Sequence, residues 1–151
     1  MALGELMEVL LPYVGRICGP IALQDGPDAT QEAMISILRG IRALSEPEAL
    51  FGWARVIAVR EAVRVARRAG RIRVDATSVE ELRAPGDPQL AVDITDILAR
   101  LSPEHRAVLV LRDIEGMDEQ QASQILAVQP GTVRSRLFRA RTSFRKAWTH
   151  D

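Results

Sequence analysis

The sequence predicts an all-α protein: two small helical domains joined by a linker, the second carrying a helix-turn-helix. Three observations lead there. β-Branched residues recur at helical spacing and not in alternation, which removes the usual strand signal. The stretch 69–88 mixes charges with Gly70, Pro85, Gly86 and Pro88 and keeps no sustained period, as a linker does. The stretch 116–148 reads as two helices about a tight turn, the second loaded with arginine. The expected units are therefore 1–68, 69–88 as linker, and 89–151. Each helical unit is small for an independent core.

Helices are expected over 3–18, 28–44, 47–68, 88–100, 103–115, 118–126 and 130–148. In 28–44, Ala33, Met34, Ile37, Leu38, Ile41 and Leu44 share one face. Asp28, Gln31, Glu32, Ile35 and Arg39 lie on the other, an apolar residue among acids that suggests a protein-binding spot. In 47–68, Val56, Val59, Val63 and Ala66 line one side, while Trp53, Ile57, Arg60, Arg64, Arg67 and Arg68 line the opposite one. Basic groups interleaved with an aromatic are what backbone-tracking and base-stacking sites use. Packing of Trp53 on the helix of 28–44 is the preferred account of that ring, and nucleic acid that of the arginines, which Arg71 and Arg73 continue.

The helix of 118–126 has Asp118 as its expected N-cap and buries Ala122, Ile125 and Leu126 against Val133 and Leu137. Pro130 suits a first helical position, where its missing N–H is not needed. Stepping about 100° per residue then collects Val133, Leu137, Ala140, Phe144 and Trp148 on one stripe. The opposite face carries Ser135, Phe138 and Arg139, flanked by Arg134 and Arg136. No acid lies in 130–148 to pair with these arginines along the helix. The N-terminal part of the second helix of such a motif faces base edges in the major groove. Thr132, Arg134, Ser135, Arg136, Phe138 and Arg139 are therefore the expected DNA readers, with Arg141, Arg145 and Lys146 nearer phosphates.

Charge and chemistry narrow the function. Twenty basic and twenty acidic residues give a formal net charge of zero. They are unevenly placed, with acids in 75–96 and 104–119 and arginines in 39–73 and 134–146; patches, not the sum, set the local field. Cys18 is alone, so no disulfide framework exists and a buried thiol in a reducing cytosol is expected. His105 and His150 are the only histidines, and neither they nor Cys18 stand in metal-ligand or nucleophile spacing. His105 is expected as a surface or capping residue. No Gly-rich phosphate loop occurs, so an enzyme and a bound cofactor are the least expected readings. No apolar run approaching the roughly 20 residues of a membrane span is expected, nor a cleavable leader; the expected location is the cytoplasm.

Taken together, the residues resemble the bacterial RNA polymerase sigma factors of the extracytoplasmic-function (ECF) group, in the sigma-70 family. The likeness is strongest in the run from Leu101-Ser102-Pro103-Glu104-His105-Arg106 to Arg112, in Gly131-Thr132-Val133-Arg134-Ser135-Arg136-Leu137 and in Arg139-Ala140-Arg141. It implies a C-terminal domain that reads the minus-35 promoter element and docks on the flap of the polymerase β subunit. Asp28-Ala29-Thr30-Gln31-Glu32 resembles the start of the family helix that grips the β′ clamp. On that likeness Asp28, Gln31, Glu32, Ile35 and Arg39 bind core RNA polymerase. Trp53-Ala54-Arg55-Val56-Ile57-Ala58 resembles the start of the helix that opens and reads the minus-10 element, which assigns Trp53, Arg60, Arg64, Arg67 and Arg68 to promoter DNA there.

Three positions depart from the pattern. Arg60 and Arg64 stand where the family carries Asn and Asp; an Arg lacks the paired donor and acceptor of Asn, so phosphate attraction rises at the expense of base reading. Ala127 takes a turn position where the family commonly has Gly, at a cost on the order of 1 kcal/mol if that residue is left-handed. The resemblance also implies an anti-sigma partner. Two alternatives stay open: a stand-alone helix-turn-helix regulator, which has no use for the 28–39 face, and a degenerate sigma-like accessory factor that does not melt DNA.

Overall fold

A computed structural model describes residues 2–76 and 94–150. Every regular element among them is helical: α1 (Leu3–Ala22), α2 (Gly26–Gly40), α3 (Leu50–Ala76), α4 (Ile94–Ala99), α5 (Pro103–Leu109), α6 (Glu119–Leu126) and α7 (Pro130–His150). Short 3₁₀ turns join α1 to α2 and α2 to α3. The fold class is the expected one. The greater part of the expected linker (77–88), together with 88–93 of the expected helix 88–100, lies outside the described residues.

α1, α2 and α3 pack on one another as a three-helix unit. Leu10, Val14, Ile17 and Ile21 of α1 are buried against Ala33 and Ile37 of α2 and against Ala54, Ala58, Ala62 and Val65 of α3. Fully burying each such Val, Leu or Ile stabilises by about 1.5–3 kcal/mol. The buried stripe of α3 differs from the one read in the sequence. Val59 and Ala66 are buried as expected, but Val56 and Val63 are only half-covered, and alanines at positions 54, 58 and 62 make the seam. Alanine spacing carries little hydropathy, yet it lets backbones approach closely. α3 also runs on through Gly70 to Ala76, so the first residues assigned to the linker are helical.

α1 shows a second difference. A window within Leu3–Ala43 reaches a mean hydropathy of 1.4, long and apolar enough to cross a membrane by length and composition, against the sequence reading. Here α1 turns Leu10, Val14, Ile17, Cys18 and Ile21 into the core. Cys18 is buried, and burial pushes its thiol up to about 11.

The C-terminal unit sets α4, α5 and α6 against α7. α5 passes into a π turn at Val110–Ile114, and Gly116 then adopts φ +70, a left-handed value open to glycine, to redirect the chain into α6. The core is continuous between the two units: Ala107, Val110, Leu111, Ala122, Ile125 and Val133 join the residues of α1–α3 in one buried cluster. Arg106 is the unexpected member of that contact. Only 6% exposed, it donates Nε to the Ile21 carbonyl (2.8 Å) at the end of α1, and Nη1 to the carbonyls of Leu98 (3.1 Å) and Leu101. Among the described residues the carbonyls at helix ends, the negative pole of the helix dipole, receive the charge. Burial lowers its pKa to about 10.

Candidate nucleic-acid and polymerase interfaces

The bihelical corner forms as the residues dictate. Asp118 caps α6, accepting from the Gln121 N–H (2.7 Å), while Gln121 Oε1 accepts from the Asp118 N–H (2.9 Å), a reciprocal capping box. Ala127 ends α6 at φ 58, ψ 44, the left-handed conformation the turn requires, and its N–H donates to the Ser123 carbonyl. α7 starts at Pro130. Val133, Leu137 and Ala140 are buried, holding α7 on α5 and α6, whereas Phe138 is 71% exposed on the outer face.

Of the expected readers, Ser135, Phe138 and Arg139 are exposed. Thr132 is half-buried at the start of α7. Arg134 is exposed but tied to Glu119 of α6, with Nη2–Oε1 at 2.7 Å and Nε–Oε2 at 3.0 Å. That hydrogen bonding holds the Glu119 carboxyl below the usual carboxylate range. Arg136 turns inward and lines the cleft between α7 and α3. His105 caps nothing with its ring. Its backbone N–H donates to the N-cap Ser102 Oγ (3.1 Å), and burial, helped by the nearby Arg136 and Arg139 charges, lowers its pKa.

The stripe of α7 does not stay buried to its end. Trp148 is 53% exposed and stacks on half-buried Phe144, centroids 6.4 Å apart. The two rings form one wall of an apolar groove of about 730 Å³, whose other walls include Ile94, Leu98, Val110 and Ile114. An Arg141–Asp113 pair (2.5 and 3.2 Å) also lines it.

On the other unit, Asp28, Gln31, Glu32, Ile35 and Arg39 converge as expected, lining a shallow cavity of about 430 Å³ with Ser36, Glu61 and Arg64. Ile35 is 43% exposed at its edge. Glu32 is shared: it accepts from Arg64 (2.7 Å) and Arg68 (3.3 Å), and those two hydrogen bonds, Arg68 first, lower its pKa. Arg64 also holds Glu61 (2.6 Å).

The remaining α3 residues are engaged too. Arg60 donates to the carbonyls of Ile125 (2.9 Å) and Gln124 (3.3 Å), and Arg67 pairs with Glu104. The Trp53 ring is half-buried against Gly40, so close that a Cβ there would lie 2.9 Å from the ring; this is the packing expected of it. Nearer the start of α3, Arg55 Nε reaches Glu115 Oε1 and Tyr13 Oη, both at 3.0 Å, and Tyr13 donates to Glu115 (2.8 Å). Burial alone would lower Arg55; the hydrogen bonds with Tyr13 and Glu115 prevail and raise it. The sequence reading passed over Arg55, Arg106, Glu104 and Glu115. Only Arg106 carried a signal, since it sits one turn before buried Val110, on the apolar side of its helix.

Comparison with known proteins agrees with this geometry. Residues 91–144 match the family model described as Sigma-70, region 4. The chain is 35% identical over 131 residues to the ECF RNA polymerase sigma factor SigE of Mycolicibacterium smegmatis, covering 80% of this chain and 51% of that one. It therefore spans about half the length of that relative. It is 31% identical over 134 residues to the ECF RNA polymerase sigma-E factor of Escherichia coli K12, covering 78% of this chain and 70% of the relative. In fold it is similar to the sigma factor RpoE of Bartonella quintana, solved in complex with the anti-sigma factor NepR (TM-score 0.72, 19% identity, 98% of this chain and 97% of that one). It is also similar to CnrH, solved with the cytosolic domain of CnrY (TM-score 0.62, 19% identity, 98% and 88%). The capped bihelical corner, its arginine-studded second helix and the 31% identity over most of a full-length relative lead to one assignment: the chain belongs to the ECF RNA polymerase sigma factors of the sigma-70 family.

Proposed function

We propose that the protein binds core RNA polymerase and directs it to a set of promoters, with no chemistry of its own. The observation that carries this is the presence, in one chain, of an exposed reading face on α7 and an acidic, Ile-tipped cavity on α2. A stand-alone regulator needs only the first. On this reading Thr132, Arg134, Ser135, Arg136, Phe138 and Arg139 serve the minus-35 element, Phe138 offering an apolar contact to a thymine methyl. Trp53, Arg60, Arg64, Arg67 and Arg68 serve the minus-10 region, and Asp28, Gln31, Glu32, Ile35 and Arg39 the β′ clamp.

The apolar groove beside Trp148 is the place on the C-terminal unit suited to the β flap. It has the concavity and apolar walls that receive one face of an amphipathic helix. An anti-sigma factor is the proposed negative partner, by analogy with the similar sigma factor RpoE, solved with the anti-sigma factor NepR. The cytoplasm is where this activity would operate. Units 1–68 and 89–151 are proposed as the two functional domains. The test is co-purification with core polymerase: the protein is retained, and a Glu32→Arg variant, which sets a cation in the acidic cavity, is released. Retention of that variant at the level of the unaltered chain would overturn the placement of the clamp contact.

A further inference from the structure

We propose that Glu119 is a positioning residue for promoter reading: it grips one edge of the Arg134 guanidinium, so that the opposite edge is presented to a guanine of the upstream element. The inference rests on the reading of α7 as the helix that enters the major groove.

The two residues come from the two helices of the corner. Glu119 is the first residue of α6, directly after the N-cap Asp118, and Arg134 lies one turn into α7. Their contact is a fork: Arg134 Nη2 donates to Glu119 Oε1 (2.7 Å) and Nε to Oε2 (3.0 Å). Two parallel bonds of this kind fix both the plane and the direction of a guanidinium, which a single bond does not. The carboxylate is itself favoured where it stands, since the first turn of α6 is the positive end of that helix.

What the grip leaves over decides the reading. A guanidinium carries five N–H donors in a rigid plane. Glu119 takes the Nε proton and one of Nη2, so the outer edge keeps both Nη1 protons and the second of Nη2. With the pair closed, the Arg134 side chain is still 70% exposed, so the contact leaves that edge uncovered. An edge made of donors alone matches the N7 and O6 acceptors of guanine. Adenine sets an N6 amino donor beside N7, which repels it.

The charge acts in the same direction. Glu119 offsets the cation, so the pair adds little to the attraction that phosphates exert on any sequence. An ungripped Arg134 would carry its full charge on a long stem and could follow phosphates, contacts that hold no sequence information. Glu119 takes no part in the cap of α6, where Asp118 and Gln121 bond each other. A substitution at 119 therefore leaves the corner intact.

For the test, the full chain bound to core polymerase is offered a pool of linear duplexes randomised through the upstream region, and the retained DNA is sequenced. Arg134→Ala should flatten a guanine preference at one position. Glu119→Gln, equal in shape but uncharged, should lower that same preference about threefold or more and leave the other positions as they were. Its binding to a fluorescein-labelled duplex of scrambled sequence should strengthen. The slope of log affinity against log salt should steepen by about one unit, beyond the change given by Glu46→Gln, a charge-matched control at an exposed site of the other unit. Helicity by circular dichroism should stay the same.

An unaltered guanine preference in Glu119→Gln, or a loss spread evenly over all positions, overturns the positioning role. Arg139→Ala in the same selection tests the underlying reading by itself. If it changes one position while Arg134→Ala changes none, α7 reads bases and the inference about Glu119 falls alone. If neither variant changes any position, the reading of α7 falls with it.

Discussion

Replacing Arg106 by Met removes a buried cation that joins the two helical units through backbone carbonyls. Met keeps most of the apolar stem, so the change isolates the guanidinium. Three carbonyls, of Ile21, Leu98 and Leu101, lose the guanidinium; Leu98 keeps the bond from the Leu101 N–H (3.0 Å), so Ile21 and Leu101 bear the loss. A buried acceptor left unmade costs about 1–3 kcal/mol. With the site 6% exposed, little room exists for water to replace the bonds. Against this, the native state no longer dehydrates a charge, a relief of several kcal/mol. Two orphaned carbonyls at the upper end of their range outweigh that relief, and the expected net loss is about 2 kcal/mol, a sizeable part of a typical stability of 5–15 kcal/mol. Urea unfolding followed by circular dichroism measures it, read as a lower midpoint. Because its partners among the described residues are carbonyls, the loss should hold at high salt, where a surface ion pair would be screened. A change under about 1 kcal/mol, or a gain, as some buried charges give when replaced, would refute the accounting by carbonyls.

Three further outcomes follow from the same geometry. Ala127→Gly relieves a left-handed residue and should raise stability by about 0.5–1 kcal/mol in thermal unfolding, whereas Ala127→Val should lower it. Because burial and the Arg136 and Arg139 charges depress His105, the folded state resists its protonation; stability should fall as pH drops below the ordinary 6.5 of histidine, and His105→Gln should flatten that slope in melts taken across acid pH. Arg139→Ala should weaken binding to the cognate upstream element by roughly 1–3 kcal/mol if the side chain meets a base edge; equal losses on cognate and scrambled duplexes would reduce it to a phosphate contact.

The sequence carried the helices with clear apolar stripes and clear punctuation. Asp118 as an N-cap, and Pro130 ahead of Val133 and Leu137, are local signals, and local signals survive folding. The α2 face was legible for the same reason, since Asp28, Gln31, Glu32 and Ile35 needed no partner from elsewhere to share a side. What periodicity could not supply was long-range pairing. Arg60 reads as a solvated cation until α6 ends beside it. Arg106 reads as a surface charge until the ends of α1 and α4 converge on it. The stripe of α3 was misjudged because Ala54, Ala58 and Ala62 weigh little in hydropathy and much in close packing. Trp148 was assigned to the core because its phase is right, but α4 and α5 leave that end of α7 as a groove wall.

The most direct test is transcription in a purified system: this protein, core RNA polymerase and a linear genomic library, with the 5′ ends of the products sequenced. Transcripts starting at a few defined positions below a shared upstream element, absent without the protein and lost on Arg139→Ala or Glu32→Arg, are the predicted result. Polymerase that gains no new start sites on adding the protein would contradict the assignment of promoter selection to this chain.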